Sequence, residues 1–178
     1  MLTVAAVILF AVNVRAQTRP DFSGRWTIEP ESTSAAGGVG QAGSGGPGVS
    51  GDMGSGWGSN ISITQEVNRL TVEYAFFARG DMQPPLRFVY ALDGSETKNS
   101  VMMGRGIQVQ TSKTAWEGDT LVITTVHSFA HPETGAPMKI LVKQTLSLAS
   151  PTSMLIETTR SGVLGGPSST TKIRYKQS

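Results

Sequence analysis

From residue 60 to residue 176 apolar and polar residues alternate with a period of two. Ile61 and Ile63 flank Ser62. Leu70, Val72, Tyr74 and Phe76 alternate with Thr71, Glu73 and Ala75, and Leu86, Phe88, Tyr90 and Leu92 with Arg87, Val89 and Ala91. The series continues through Ile107 and Val109 set against Gln108 and Gln110. Leu121, Ile123 and Thr125 follow, then Ile140, Val142, Leu146 and Leu148, then Met154 and Ile156, and finally Ile173 and Tyr175. Successive side chains of a strand point to opposite faces, so this alternation predicts strands with one buried face. The frequency of Val, Ile and Thr agrees. Val67-Asn68, Asp93-Gly94, Glu117-Gly118, Thr134-Gly135 and Ser150-Pro151 fall between the runs and suit antiparallel hairpins. No long segment carries a helical period.

Roughly nine or ten strands joined by short turns predict a single all-β domain. An antiparallel up-and-down barrel is the favoured architecture, because closure removes exposed sheet edges. A β-sandwich is the alternative, and the order of strands along the chain does not separate the two.

Two segments break the pattern. Residues 2–12 form an apolar run, and Val14-Arg15-Ala16 places small residues at the −3 and −1 positions of a cleavage site. This predicts a signal peptide over 1–16, a mature domain over 17–178 and a periplasmic or secreted location, although no Lys or Arg precedes the run. Spanning a bilayer takes about 20 apolar residues, more than this run supplies. The second segment, 35–58, holds eleven of the 21 glycines and almost no aliphatic residues, which predicts a flexible insertion. Trp57, near its end, is expected either to anchor the segment by packing or to lie across a cavity mouth.

Composition narrows the function. A domain of about 150 residues buries roughly 68–70% of its unfolded surface, enough for a core without staples. The chain has no cysteine, which excludes disulfides, thiolate metal sites and a cysteine nucleophile. Cleavage removes Arg15 from 15 basic residues set against 13 acidic ones, so the formal net charge falls from +2 to +1. No basic cluster accompanies the sequence pI of 9.1, and nucleic acid is not an expected partner. The alternating Lys172, Arg174 and Lys176 read as a solvated strand face.

Motif matches are weak. Gly38-Val-Gly-Gln-Ala-Gly43 has the dinucleotide-binding glycine spacing but no helix after it. Ser95 and Lys98 have the S-x-x-K spacing, but a strand would send them to opposite faces. His127, His131 and Glu133 are the sharpest chemical hint, three potential Zn²⁺ ligands in a segment interrupted by Pro132. The competing reading is a pair of loop histidines. Asp81, Asp93, Glu117, Asp119 and Glu133 sit at turns, which explains them without catalysis. No cofactor and no metal are assigned.

The opening Pro20-Asp-Phe-Ser-Gly-Arg-Trp-Thr-Ile28, with Tyr90-Ala-Leu-Asp-Gly94, Trp116-Glu-Gly-Asp-Thr-Leu121 and Lys143-Gln-Thr-Leu-Ser-Leu148, resembles a set of uncharacterised secreted bacterial lipocalin-like (calycin-like) proteins. The similarity spans most of residues 20–176. It implies that Gly24 and Trp26 are structural, with the indole closing one barrel end against an arginine of a late strand, Arg174 or Arg160. It also implies a carrier of small apolar ligands. The long lipocalin C-terminal helix is absent.

These readings favour an exported barrel that binds a small apolar or amphipathic ligand, with Tyr74, Phe76, Phe88 and Tyr90 as its wall, over an enzyme. The same aromatics would equally fill a solid core. The alternatives are a cell-envelope interaction module built on the glycine-rich segment, and a His-dependent or metal-dependent enzyme. The oligomeric state is left open.

Overall fold

A computed structural model describes residues 19–29, 34–36, 57–74, 85–103, 106–130, 134–161 and 167–178. The described chain is all strand and turn. β1 is Gly24–Ile28, β2 Ser34–Ala36, β3 Asn60–Glu66, β4 Arg69–Tyr74, β5 Leu86–Ala91 and β6 Thr97–Met103. β7 is Gly106–Glu117, β8 Thr120–Ala130, β9 Pro137–Ser150, β10 Ser153–Arg160 and β11 Ser169–Gln177. Ten of them form one continuous antiparallel sheet in the order β5-β4-β3-β1-β11-β10-β9-β8-β7-β6. A sandwich would need two sheets, so the up-and-down barrel holds. β2 also pairs with β11, through Ala36 and Thr170, further along the strand that β1 joins at Tyr175 and Gln177.

The barrel closes where β5 meets β6, and side chains make that closure. The Val89 N–H donates to Asn99 Oδ1 at 2.8 Å, and Asn99 Nδ2 donates to the Val89 carbonyl at 3.0 Å. One amide side chain thus copies the two-bond pattern of a ladder pair. Nearby, the Thr114 hydroxyl donates to the Ala91 carbonyl.

The turns expected from the sequence are in place. Gly94, Gly118 and Gly135 have positive φ, which glycine adopts without strain, and of the three Gly118 lies in a two-residue hairpin loop. Gly118 and Asp119 connect Glu117 to its partner Thr120, which fixes the β7–β8 register.

That register corrects one expectation. Ile107 and Val109 were expected to face inward and Gln108 and Gln110 outward, yet Val109 is 45% exposed and Gln110 only 8%. Leu121 and Ile123 are fully buried, so their partners Trp116 and Thr114 must face the same way. Counting back in twos then brings Ser112 and Gln110 inside. The hairpin, not local hydrophobicity, sets the phase.

The core is contiguous, from Phe22, Trp26, Ile61 and Ile63 through Leu70, Val72 and Phe88 to Leu121, Leu146, Ile156, Ile173 and Tyr175. Trp26 is 1% exposed, and its indole N–H donates to the Phe22 carbonyl at 2.9 Å. This bond and two from Gln65, which accepts from the Phe22 N–H and donates to the Pro20 carbonyl, lash residues 20–23 across one barrel end. Gly24 has φ of 141°, and a Cβ there would lie 2.6 Å from Gln177 Nε2. The resemblance pointed to Arg174 or Arg160 as the partner of Trp26, and the fold places both elsewhere. Arg174 lies on the outer face of β11, between inward Ile173 and Tyr175. Arg160 pairs with Ser169, eight residues along β11 from Gln177, the partner of Trp26, a span of about 26 Å. The cation at the Trp26 end is Arg19, 5.1 Å from the Trp116 ring centroid.

Candidate functional site

Strand register sorts the inward side chains of β7 to β11 into rows. The row nearest the β7–β8 hairpin is Trp116, Leu121, Leu146, Ile156 and Ile173, all apolar. The second is Thr114, Ile123, Gln144, Thr158 and Thr171. The third is Ser112, Thr125, Val142, Arg160 and Ser169, and the fourth contains Gln110, His127 and Ile140. The wall therefore turns from oil to polar chemistry within one residue pair.

Several of these polar side chains are enclosed, whereas Ser169 is exposed and Arg160 and His127 are part-buried. Ser112, Thr125, Gln144 and Thr158 are 1%, 3%, 4% and 1% exposed. Ser112 and Thr125 satisfy each other at 2.8 Å. Among the described residues Thr158 Oγ1 has no hydrogen-bond partner. A buried hydroxyl without a partner carries a desolvation penalty of about 1–3 kcal/mol. Sequence alternation did not single out Thr158 or Arg160, although counting in twos from Met154 and Ile156 reaches both.

His127 is half-buried. Burial holds its imidazole below the ordinary histidine pKa of 6.5, and the Arg160 charge pushes the same way. The sign for stability follows. Between the folded and unfolded values the unfolded chain binds more protons, so stability is full above 6.5 and is lost as pH falls through the folded-state value. His127→Gln is expected to flatten this loss. Thermal unfolding of the two proteins across the acid range checks it, and parallel curves would contradict it.

On β4 and β5 the three described residues of the expected ligand wall come together. Tyr74 and Phe88 stack with centroids 5.8 Å apart, and Phe88 and Tyr90 with centroids 6.5 Å apart. Phe76 lies outside the described residues. Trp57 joins the ladder, 2% exposed, with its Nε1 donating to the Tyr90 hydroxyl at 3.2 Å. Burial pushes the Tyr90 phenol pKa strongly upward, and the Trp57 bond opposes this in part. Gly58 follows with φ of 60°. Its carbonyl accepts from the Tyr175 hydroxyl at 2.8 Å, and a Cβ on it would stand 3.1 Å from Tyr74 Cδ2. Three tyrosines thus hold the end of the glycine-rich segment against the barrel. Its residues 37–56 lie outside the described chain, whereas Ala35 and Ala36 form part of β2.

The remaining candidates resolve simply. His131 and Glu133 lie outside the described residues, and no group of three His, Asp or Glu suited to a metal occurs among the described ones. Ser95 serves a turn, its N–H donating to Asp93 Oδ1 at 2.9 Å, and its side-chain hydrogen bond, with this backbone one, lowers the Asp93 pKa. The Gly38–Gly43 match and Asp81 also lie outside the described residues. At the Trp26 end a groove of about 420 Å³ opens between Arg19, Asp21, Gln65, Glu66, Leu92 and Trp116, whose indole N–H has no hydrogen-bond partner among the described residues. Among the described residues no helix is long and apolar enough to cross a membrane. Neither a protein-family model nor a curated protein sequence matches this chain.

Proposed function

We propose that the protein is an exported, non-catalytic carrier of a small amphipathic molecule held inside the barrel, and a member of the lipocalin-like set its opening resembles. One observation carries the reading: the interior is two-faced. The aromatic ladder of Tyr74, Phe88 and Tyr90 lies on β4 and β5, and polar rows line β7 to β10, starting at the seam beside β5. A solid core gains nothing from enclosing the hydroxyl of Thr158, unpartnered among the described residues, since each polar group taken from water costs free energy unless paired. A cavity that receives an apolar body and a polar tip uses both faces. The apolar run over 2–12 and the small residues at 14 and 16 support export.

Native mass spectrometry of protein isolated without detergent is the test. The expected result is a one-to-one complex with a small molecule of amphiphile mass, released on mild activation. Bare protein that also fails to take up added amphiphiles would overturn the reading.

A further inference from the structure

We propose that the outer face of β6 to β9 docks the barrel on an anionic phospholipid surface, with lysines meeting the headgroups around a small apolar centre. This goes beyond the carrier reading and does not depend on it.

Among the described residues three large apolar side chains are exposed, and Val67 of these belongs to a hairpin turn. The other two, Val109 at 45% and Leu141 at 48%, lie on the outer face of β7 and β9. Half-buried Val126 on β8 links them. It stands opposite Leu141 on one side and, on the other, opposite Thr111, two residues along β7 from Val109.

Strand register frames this strip with cations. Lys98 stands opposite Thr111, Lys113 and Lys143 flank Thr124, and Lys139 stands opposite Ser128. All four lysines are exposed. They are far apart in sequence, and the sheet gathers them into an area of about 15 by 13 Å, taken from strand spacing and rise.

Elsewhere the outer face balances its charges. Glu66, Glu73 and Glu157 stand directly opposite Arg69, Arg87 and Lys172 and pair with them. On β6 to β9 the lysines instead face Thr and Ser. The acids nearby, Glu96, Glu117 and Asp119, lie toward the β7–β8 hairpin, where Glu117 reaches Lys143 at 3.9 Å. From Lys98 across Val126 and Leu141 to Lys139, no described residue is acidic. A face that serves solubility alone gains by interspersing both signs. An excess of one sign around an apolar strip attracts an anion instead. Lysine suits a fluid array of phosphates, since its ammonium is a point charge and its stem lies along apolar surface. A bilayer supplies phosphates above an apolar boundary, whereas a nucleic acid or an acidic peptide would leave Val126 and Leu141 unused.

The experiment is sedimentation of the protein with vesicles of equal parts phosphatidylglycerol and phosphatidylcholine, against vesicles of phosphatidylcholine alone. The variants share one N-terminus, so differences between them report this face. The wild type is expected to bind the anionic vesicles at least roughly tenfold more tightly, and salt to release it. Lys98→Gln, Lys113→Gln and Lys139→Gln should each weaken that binding roughly fivefold, and Leu141→Ser severalfold. Lys176→Gln, the same loss of charge on the outer face of β11, should weaken it much less. The chain has no cysteine, so a nitroxide on Ser128→Cys or on Thr64→Cys labels one place. Anionic vesicles should immobilise the label at 128 and leave the label at 64 mobile. Equal binding to the two kinds of vesicle would overturn the proposal, as would equal losses for Lys139→Gln and Lys176→Gln or immobilisation at 64 instead of 128. Lysine-dependent binding of soluble polyglutamate with no binding to vesicles would assign the face to an acidic protein and overturn the lipid surface.

Discussion

Trp26→Ala is expected to destabilise the fold by about 3–5 kcal/mol, the range for truncating a fully enclosed aromatic. Trp26 is 1% exposed among core residues, and its N–H is tied to the Phe22 carbonyl. Truncation would empty the end of the barrel and release residues 20–23, where fully buried Phe22 stacks on Trp116 at 6.1 Å. Trp26→Phe keeps most of the packing and loses the indole N–H bond, so it should cost less. Urea denaturation of the two variants gives the comparison. Near-equal midpoints would mean that the hydrogen bond, not packing, holds the barrel end.

The second large effect is at the seam. Asn99→Ala is expected to cost about 1–3 kcal/mol for each of the two Val89 backbone groups it leaves unpaired. Asn99 is 6% exposed and supplies both bonds between β5 and β6 at this point. Hydrogen exchange gives a local readout that global stability does not. The Val89 amide should lose protection in the variant by more than the β8 and β9 amides, which pair with neighbours on both sides. Uniform loss across the barrel would show that Asn99 acts only through overall stability.

Much of this fold was legible in the sequence. The alternation at Leu70, Val72 and Tyr74, and again at Leu86, Phe88 and Tyr90, gives the inward face of β4 and β5 directly, because each run is apolar on one side. β7 was misread for a physical reason. Its inward residues from Gln110 to Thr114 are polar, so hydrophobic alternation reports the wrong phase, and only the two-residue hairpin at Gly118 and Asp119 reveals the correct one. Had the count started from Trp116 opposite Leu121, the polar rows would have emerged from the sequence. Arg160 and Thr158 were hidden by the same habit of following apolar residues. The Asn99 seam lies beyond any pattern, since it depends on how far ten strands curl before β5 meets β6.

The aromatic ladder and the polar rows carry different weight. Stacked rings such as Tyr74, Phe88 and Tyr90 serve a solid core as well as a ligand wall, and Trp57 already covers part of their surface. Thr158, enclosed and unpartnered among the described residues, discriminates better, because a solid core would be more stable without its hydroxyl. The binding reading therefore stands on the polar wall more than on the aromatic one.

The most direct test is chemical-shift mapping of the isotopically labelled protein titrated with dodecanoate. Binding inside the barrel is expected to move the signals of Thr125, His127, Val142, Gln144 and Thr158 together with the Tyr90 ring, saturating at one equivalent. Shifts confined to the groove at Arg19, Gln65 and Trp116, or to the outer strand faces, would contradict an interior site, and an unchanged spectrum would contradict binding of this amphiphile altogether.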